Sequence, residues 1–374
     1  MQTTRAAVLY QTGNSAPYAE SRPLVIEELT LSDPGPGEVL VEIAGAGLCH
    51  SDLSVIDGNR PRVMPMVLGH EASGIVREVG PGVSELAPGD HVIFAFVPAC
   101  RHCVPCATGR AALCENGARS NVAGTLLGGA RRFHGQAGEL NHHLGVSAFS
   151  QFTVAAQESL VKIDPALPLT VAALFGCAVM TGVGAAINTA KVVPGSSVVV
   201  FGCGGVGISV IQGARVCGAA EIIAVDLVDD KLETAKKFGA THAVKPDDLA
   251  ALSAELTGGA GFDYAFEAIG SPVTMRAAYD AIRRGGMAVI VGVGRAEQTF
   301  ELSAFEMFYS EKTLVGSYYG STDVRSDFAR IIRLWRAGKL DLEAMVTRTI
   351  ALEDINEALG AMERGEVVRQ VITL

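Results

Sequence analysis

Four cysteines, Cys100, Cys103, Cys106 and Cys114, fall in the pattern C-x2-C-x2-C-x7-C. Thiolates this close together can close a tetrahedral site on Zn²⁺, which takes four sulfur ligands where its role is structural. Pro98, Pro105 and Gly109 supply turns between the ligands. The alternatives are an iron–sulfur cluster or unconnected cysteines. Ferredoxin-like spacing would bring a cysteine–proline pair soon after the third cysteine, and the sequence has none there. Structural zinc is therefore the expected occupant of a lobe at 98–116.

A second constellation lies in Ser197–Lys231. The apolar run Val198–Phe201 stops at Gly202-Cys203-Gly204-Gly205-Val206-Gly207, a helix-like segment Val206–Val216 follows, and the run Ile222–Val225 ends in Asp226. Strand, glycine turn, helix, strand and acid together suit a dinucleotide. Gly202 permits the tight turn, Gly204 lets a pyrophosphate approach the backbone, and Gly207 lets helix and strand pack closely. The helix start, at Gly205 and Val206, offers free N–H groups and a positive dipole end. Asp226 can accept from both adenine-ribose hydroxyls, its charge opposes a 2′-phosphate, and Leu227 and Val228 bring no cation beside it. NAD is expected rather than NADP.

Other reactive side chains are dispersed. Cys49 lies in GLCHSD, His70 in GHEASG and Cys177 in GCAVMTGVG. Their spacing alone does not assemble them. Taken singly, the two cysteines read as buried core residues and His70 as a satisfied core histidine. Cys203 and Cys217 read as apolar packing, and the adjacent side chains of His142 and His143 seldom converge on one ion.

The elements that must hold these residues follow from composition and period. A chain of 374 residues, 49% hydrophobic and 19% charged, predicts about two domains with sizeable cores. The net charge of −10 argues against nucleic acid or an anionic membrane surface as a partner. Met1–Tyr10 has no apolar signal core, so a cytoplasmic setting is expected and the eight cysteines suggest metal or catalysis before disulfides. The uncharged stretch Pro165–Ala190 is interrupted by prolines and glycines and reads as a buried helix pair rather than a membrane span.

Short strands are predicted at Ala6–Tyr10, Leu24–Leu29, Glu38–Ala44, Gly74–Val79 and His91–Phe96. Pro98–Ala148 shows no hydrophobic period and reads as an irregular loop ordered by metal. From Ser196 the period changes to strand–helix alternation. Strands are expected at Val198–Phe201, Ile222–Val225, Ala243–Val244, Tyr264–Phe266, Met287–Val291 and Thr313–Val315, and Gly285-Gly286 reads as a helix end. The last strand, Val367–Thr373, is expected to return to the first domain.

With these motifs in hand, the chain resembles the zinc-dependent medium-chain alcohol dehydrogenases, nearly end to end. GHE followed by a glycine, the four-cysteine lobe and GxGxxG with a distant acid carry the likeness. It implies an α/β fold: a GroES-like β-rich catalytic domain at 1–178 and 320–374, with an inserted Rossmann domain, a doubly wound sheet of six parallel strands, at 179–319. It implies NAD and two Zn²⁺ per chain, the catalytic one held by Cys49, His70 and Cys177 with a fourth position open. Asp52 matches the carboxylate that orients the zinc histidine, and Glu71 the acid beside the metal. Ser51 matches the first proton acceptor, Thr181 the nicotinamide side of the site, Lys231 and Val293 further cofactor contacts, and Arg369 a pyrophosphate contact.

The implied reaction is reversible oxidation of primary aliphatic or aromatic alcohols to aldehydes, of the alcohol or aryl-alcohol dehydrogenase type, with hydride passing from a zinc-bound alkoxide to the nicotinamide. Phe96, Leu144, Val293 and Tyr318 would line an apolar pocket. The sequence also departs from the family. Ser54 stands where members with a proton relay have histidine, so the proton would leave through ribose hydroxyls and water or by His50. His50 stands where many relatives have a phosphate-binding arginine. Arg60 and Ala118 replace the acid and arginine that bind glutathione in the formaldehyde dehydrogenases, which argues against glutathione conjugates; a different thiol stays open. The Arg119–His143 loop has the length of the dimeric members, so a homodimer joined at the edge strands near Thr313–Ser317 is expected. The competing readings are a thiol-adduct or formaldehyde dehydrogenase and a non-catalytic nicotinamide-binding protein. The intact Cys49, His70, Cys177, Asp52 and Glu71 speak against the latter, and the two metal sets against a zinc-free quinone-reductase-like relative.

Overall fold

The structure is a computed structural model that describes all 374 residues. The chain divides into two compact units: Met1–Cys177 with Asp323–Phe328 and Leu342–Leu374, and Ala178–Thr322 with Ala329–Asp341. The expected boundary put everything from 320 onward with the first domain. Instead residues 320–322 and 329–341 belong to the second unit, so the helix Val324–Arg336 is shared between the two. Continuous amphipathic periodicity carried no mark of that division.

The first unit is β-rich. A small closed barrel runs Gln2–Leu9, Leu24–Leu31, Phe133–Gly135, Gly138–His142, Met66–Val67 and back to the first strand. Closing the sheet leaves no free edge. Its interior holds Ala6, Val8, Leu29, Leu31, Val67, Phe133 and Leu140, all buried. A second sheet is ordered Leu160–Ile163, His91–Phe94, Glu71–Val79, Glu38–Leu48, Arg369–Ile372, Val346–Ile350, with Phe152–Ala156 also paired to Glu38–Leu48. The C-terminal strand therefore does return to the first unit, antiparallel to Glu38–Leu48. The reading of 98–148 as irregular loop is corrected: it contains the helix Glu115–Ala123 and the two barrel strands Phe133–Gly135 and Gly138–His142. These elements are too short to show a period, and Phe133 and Leu140 reach the core from between glycines and charged residues.

The second unit holds six parallel strands in the order His242–Val244, Glu221–Val225, Ser197–Phe201, Phe262–Glu267, Ile282–Ile290, Thr313–Gly316. All six expected strands are present. Their order reverses between Ser197–Phe201 and Phe262–Glu267, the topological switch point at which such sheets bind ligands beyond the carboxyl ends of the strands. Gly285-Gly286 does not end a helix. Pro272–Ala281 passes straight into the strand Ile282–Ile290, and the register jumps from Ile282 to Met287, so the two glycines lie in a bulge, with Gly285 at φ +70°.

No single helix is long and apolar enough to cross a membrane. The uncharged stretch folds as the short helical segments Leu169–Ala172, Ala173–Gly176, Ala178–Gly184 and Ala185–Ala190, most of whose residues are buried.

Candidate functional site

Strand pairing explains how Cys49 and His70 meet. Glu38–Leu48 runs antiparallel to Glu71–Val79, with Gly47 opposite Glu71. Cys49 leaves the end of one strand where His70 enters the other. A side chain at Gly47 would lie 2.3 Å from Glu71 Oε1, so only glycine leaves that carboxylate its space. Cys177 arrives from a third direction, after the 3-10 turn Ala173–Gly176; a Cβ on Gly176 would meet Phe94 O at 2.8 Å and Ala72 N at 3.3 Å. Three residues far apart in the chain are thus brought together at one sheet end by close backbone packing.

The outcome is a set of three buried ligand atoms, from Cys49, His70 and Cys177, all within 4.8 Å of one another. Asp52 organises it. The helix His50–Ile56 starts at Cys49, whose sulfur accepts from the Asp52 backbone while Asp52 Oδ2 accepts from Cys49 N at 3.3 Å, a capping box built on cysteine and aspartate. Asp52 Oδ1 accepts from His70 Nδ1 at 3.0 Å and from Gly69 N at 3.2 Å. This commits Nδ1 as the donor and leaves Nε2, a buried atom with no hydrogen-bond partner, as the nitrogen whose lone pair a metal would take in exchange for a proton. An imidazole nitrogen and two thiols aimed at one point, with an orphaned Nε2 among them, fit a Zn²⁺ ion that keeps one position open.

The charged groups of the set act strongly on one another. Burial opposes charge on His70, but Asp52 and Cys49 beside it raise its pKa to about 10. The hydrogen bond from Cys177, with Arg369 and His70 nearby, holds Cys49 well below the usual thiol range; the same bond, with burial, pushes Cys177 up. Burial raises Glu71 to about 7, against the pull of Arg369, whose Nε stands 3.9 Å from Glu71 Oε1. Arg369 is only 4% exposed, and its guanidinium faces Glu71 and the two cysteines.

Around this set, Phe96 stands edge-on to His70 with ring centroids 5.7 Å apart and an interplanar angle of 86°. Leu144 is buried with φ +54°. Ser51 is half-buried on the first turn of the helix His50–Ile56 and His50 is exposed. Ser54, at the histidine position of the family relay, donates its hydroxyl to His50 O at 2.9 Å.

In the other cluster, Cys100, Cys103, Cys106 and Cys114 also gather within 4.8 Å. The Sγ atoms of Cys103 and Cys114 are 3.9 Å apart. A tetrahedron with Zn–S bonds of about 2.3 Å has edges of about 3.8 Å, so the cluster fits that ion and all four thiols are free. Backbone N–H groups already point at the sulfurs: Cys100 N and Gly117 N at 3.3 Å from Cys114 Sγ, and Cys103 N at 3.4 Å from Cys100 Sγ.

In the second unit, the glycine turn has the predicted form. Gly202 has φ +93°, and a Cβ on Gly207 would lie 1.7 Å from Gly202 O. A Cβ on Gly204 would meet nothing within 4 Å, so an open cradle lies in front of the helix Gly205–Val216. Asp226 is fixed by Cys203 N at 2.8 Å and Val228 N at 3.1 Å. Lys231 and Thr181 are half-buried; Val293 and Tyr318 are 56% and 45% exposed. Two residues escaped the sequence reading. Glu267 is fully buried and accepts from Ile269 N, Gly270 N and Thr274 Oγ1, bracing the loop whose Ile269 lies against Gly202. The acid at the end of the strand Phe262–Glu267 was its only sequence signal. The other is His143, buried against Asp52 and His70; the sequence showed only a histidine pair. Burial keeps it neutral, pushing its pKa down to about 4.

The pattern of the alcohol dehydrogenase GroES-like domain matches residues 35–165, and that of the zinc-binding dehydrogenases matches 205–336. The chain is 41% identical over 373 residues to the NDMA-dependent alcohol dehydrogenase of Amycolatopsis methanolica, covering 99% of this chain and 98% of that one. It is 40% identical over 375 residues to the S-(hydroxymethyl)glutathione dehydrogenase of Synechocystis, covering 99% of each. The crystal structure of benzyl alcohol dehydrogenase from Acinetobacter calcoaceticus superposes with a TM-score of 0.92 at 32% identity, over the whole of both chains. The chain belongs to the zinc-dependent medium-chain alcohol dehydrogenases. It is an oxidoreductase of that family, built from a GroES-like and a Rossmann-type domain.

Proposed function

We propose that the protein is an NAD-dependent dehydrogenase of primary alcohols, aliphatic or aromatic, working reversibly between alcohol and aldehyde. The observation that carries this reading is the buried Cys49/His70/Cys177 set with an orphaned His70 Nε2. Zinc held by these three residues would supply a Lewis acid that makes an alcohol hydroxyl easier to deprotonate, and NAD cradled at Gly202–Gly207 would supply the hydride acceptor. The remaining work falls to the chain. Asp52 holds the His70 tautomer and ring orientation. Phe96 and Leu144 exclude water and favour an apolar alcohol tail. Ser51 Oγ takes the hydroxyl proton. Ser54 is engaged with the His50 backbone, so the proton continues by His50, exposed on the preceding position, or by cofactor hydroxyls and water. Asp226 accepts the adenine-ribose hydroxyls and repels a 2′-phosphate. The second zinc, in the four-cysteine lobe, is structural.

The test is a panel of benzyl, hexyl and short-chain alcohols with NAD or NADP, with and without added thiol. Turnover of free benzyl or hexyl alcohol with NAD supports the reading; activity on formaldehyde only with a thiol overturns it. The thiol-adduct dehydrogenase is kept as a second reading because of the 40% identity to S-(hydroxymethyl)glutathione dehydrogenase. Arg60 and Ala118 speak against glutathione itself as that thiol. A cytoplasmic homodimer completes the proposal. The edge strand Thr313–Gly316 has an open side, and Phe305, Phe308 and Tyr309 are exposed on the helix before it. Light scattering that returns a monomer would refute the dimer.

A further inference from the structure

Asp52 carries more than the single histidine that a metal site requires. Three nitrogens converge on its Oδ1: Gly69 N at 3.2 Å, His70 Nδ1 at 3.0 Å and His143 Nδ1 at 3.2 Å. The first two are hydrogen bonds. The third is within ion-pair reach but lacks hydrogen-bond geometry, and His143 Nδ1 is a buried polar atom with no hydrogen-bond partner. His143 is 1% exposed, and its ring stands at 80° to that of His70 with centroids 5.3 Å apart. A phenylalanine would fill the same space against His70 and leave no buried nitrogen unpaired. The chain instead keeps an imidazole, with the nitrogen turned towards a carboxylate. Only the tautomer with hydrogen on Nδ1 is attracted there; a lone pair facing Asp52 would be repelled.

The backbone is bent to hold this ring. Leu144 and Ser147 both sit in the left-handed region, at φ +54° and +53°, with Gly145 between them at +67°. His143 N donates to Ser147 Oγ at 2.9 Å, Ser147 Oγ donates to Val67 O at 2.9 Å, and Val146 N closes the turn on His143 O at 3.0 Å. Two non-glycine residues held in that region within one turn mark a position over-determined by its surroundings.

We propose that His143 is a positioning residue for the candidate metal centre: as a second imidazole on Asp52 Oδ1, it limits where the carboxylate and, through it, the His70 ring can sit. The proposal rests on reading Cys49, His70 and Cys177 as a metal site.

The test uses zinc-loaded full-length protein and its cobalt-substituted form, comparing wild type with His143→Phe and His143→Gln. The readouts are the rate of metal release to a chelator and the visible cobalt spectrum. His143→Phe keeps the ring but not the N–H; it should release metal from the Cys49 centre roughly 10-fold faster, the lower end of the range for lost outer-sphere partners, and shift the cobalt band. The four-cysteine metal should stay. His143→Gln restores a donor and should return most of the wild-type spectrum and release rate. Wild-type behaviour of His143→Phe overturns the proposal, as does a Gln variant as impaired as the Phe variant. If the Phe variant does not fold, the Gln variant decides alone: a near wild-type spectrum supports the proposal and a shifted one refutes it. Failure of the underlying reading looks different, since wild-type protein would then bind cobalt in the four-cysteine lobe only.

Discussion

Asp52 Oδ1 stands 3.0 Å from Nδ1 of His70, and both residues are buried. This contact turns an ordinary core histidine into a candidate ligand, because it commits Nδ1 as donor and leaves the orphaned Nε2 as the only nitrogen able to bind a metal.

Replacing Asp52 by Asn should weaken metal retention at the Cys49 centre about 10–100-fold and lower turnover in parallel. Chelator-release kinetics check it, with the four-cysteine zinc as the internal standard. Release at the wild-type rate would show that Asp52 does not orient His70.

Cys49→Ser should abolish alcohol turnover while NADH still binds, because the glycine turn lies in a different unit of the chain. Metal content should fall from near two zinc per chain to near one. NADH fluorescence titration and metal analysis read the two effects independently. Retention of both zincs with normal turnover would refute the assignment of Cys49.

Gly207 and Gly204 should separate folding from cofactor binding. Gly207→Ala puts a Cβ 1.7 Å from Gly202 O, which demands a backbone shift and a loss of stability of about 1–3 kcal/mol. Gly204 has extended dihedrals (φ −76°, ψ −174°) and open space before it, so Gly204→Ala should fold normally and bind NADH weakly. Thermal melts with and without NADH distinguish the two. Unchanged NADH affinity in Gly204→Ala would remove the pyrophosphate from this turn.

Asp226→Gly should weaken NAD binding and relax discrimination against NADP. It also removes the acceptor of Cys203 N and Val228 N, so a modest loss of thermal stability accompanies it. The ratio of kcat/KM for NAD and NADP is the measurement, and an unchanged ratio contradicts the ribose role.

His142 predicts an acid-sensitive barrel. Burial, with Arg131 and Arg132 nearby, lowers its pKa from 6.5 to about 3, and its Nε2 accepts from Arg132 N at 3.1 Å. The folded form holds the ring neutral while the unfolded chain binds a proton below 6.5. The stabilisation is therefore complete above pH 6.5 and is lost as pH falls towards 3, by up to about 1.4 kcal/mol per pH unit. His142→Gln should flatten this part of the stability–pH curve, as read from urea midpoints between pH 4 and 7. A slope equal to that of the wild type would mean that His142 is protonated in the folded protein.

The features legible in the sequence alone were those in which a short stretch does its own chemistry. The four cysteines of 100–114 are close enough along the chain to meet whatever the rest does, and strand, glycine turn, helix and Asp226 form one continuous βαβ unit. Period and turn residues located all six strands of the parallel sheet for the same reason. Cys49, His70 and Cys177 are different. Nothing local relates them, and resemblance alone had grouped them; their meeting depends on Gly47 pairing with Glu71 and on Gly176 packing against the strand end. The barrel strands Phe133–Gly135 and Gly138–His142 were invisible because three to five residues cannot display a period. His143 shows in the sequence only as half of a histidine pair, because its meaning lies in its distance from Asp52, 91 positions earlier. Local chemistry could be read from residue order, but long-range convergence on one buried carboxylate was decided by strand register and close glycine packing in the folded chain.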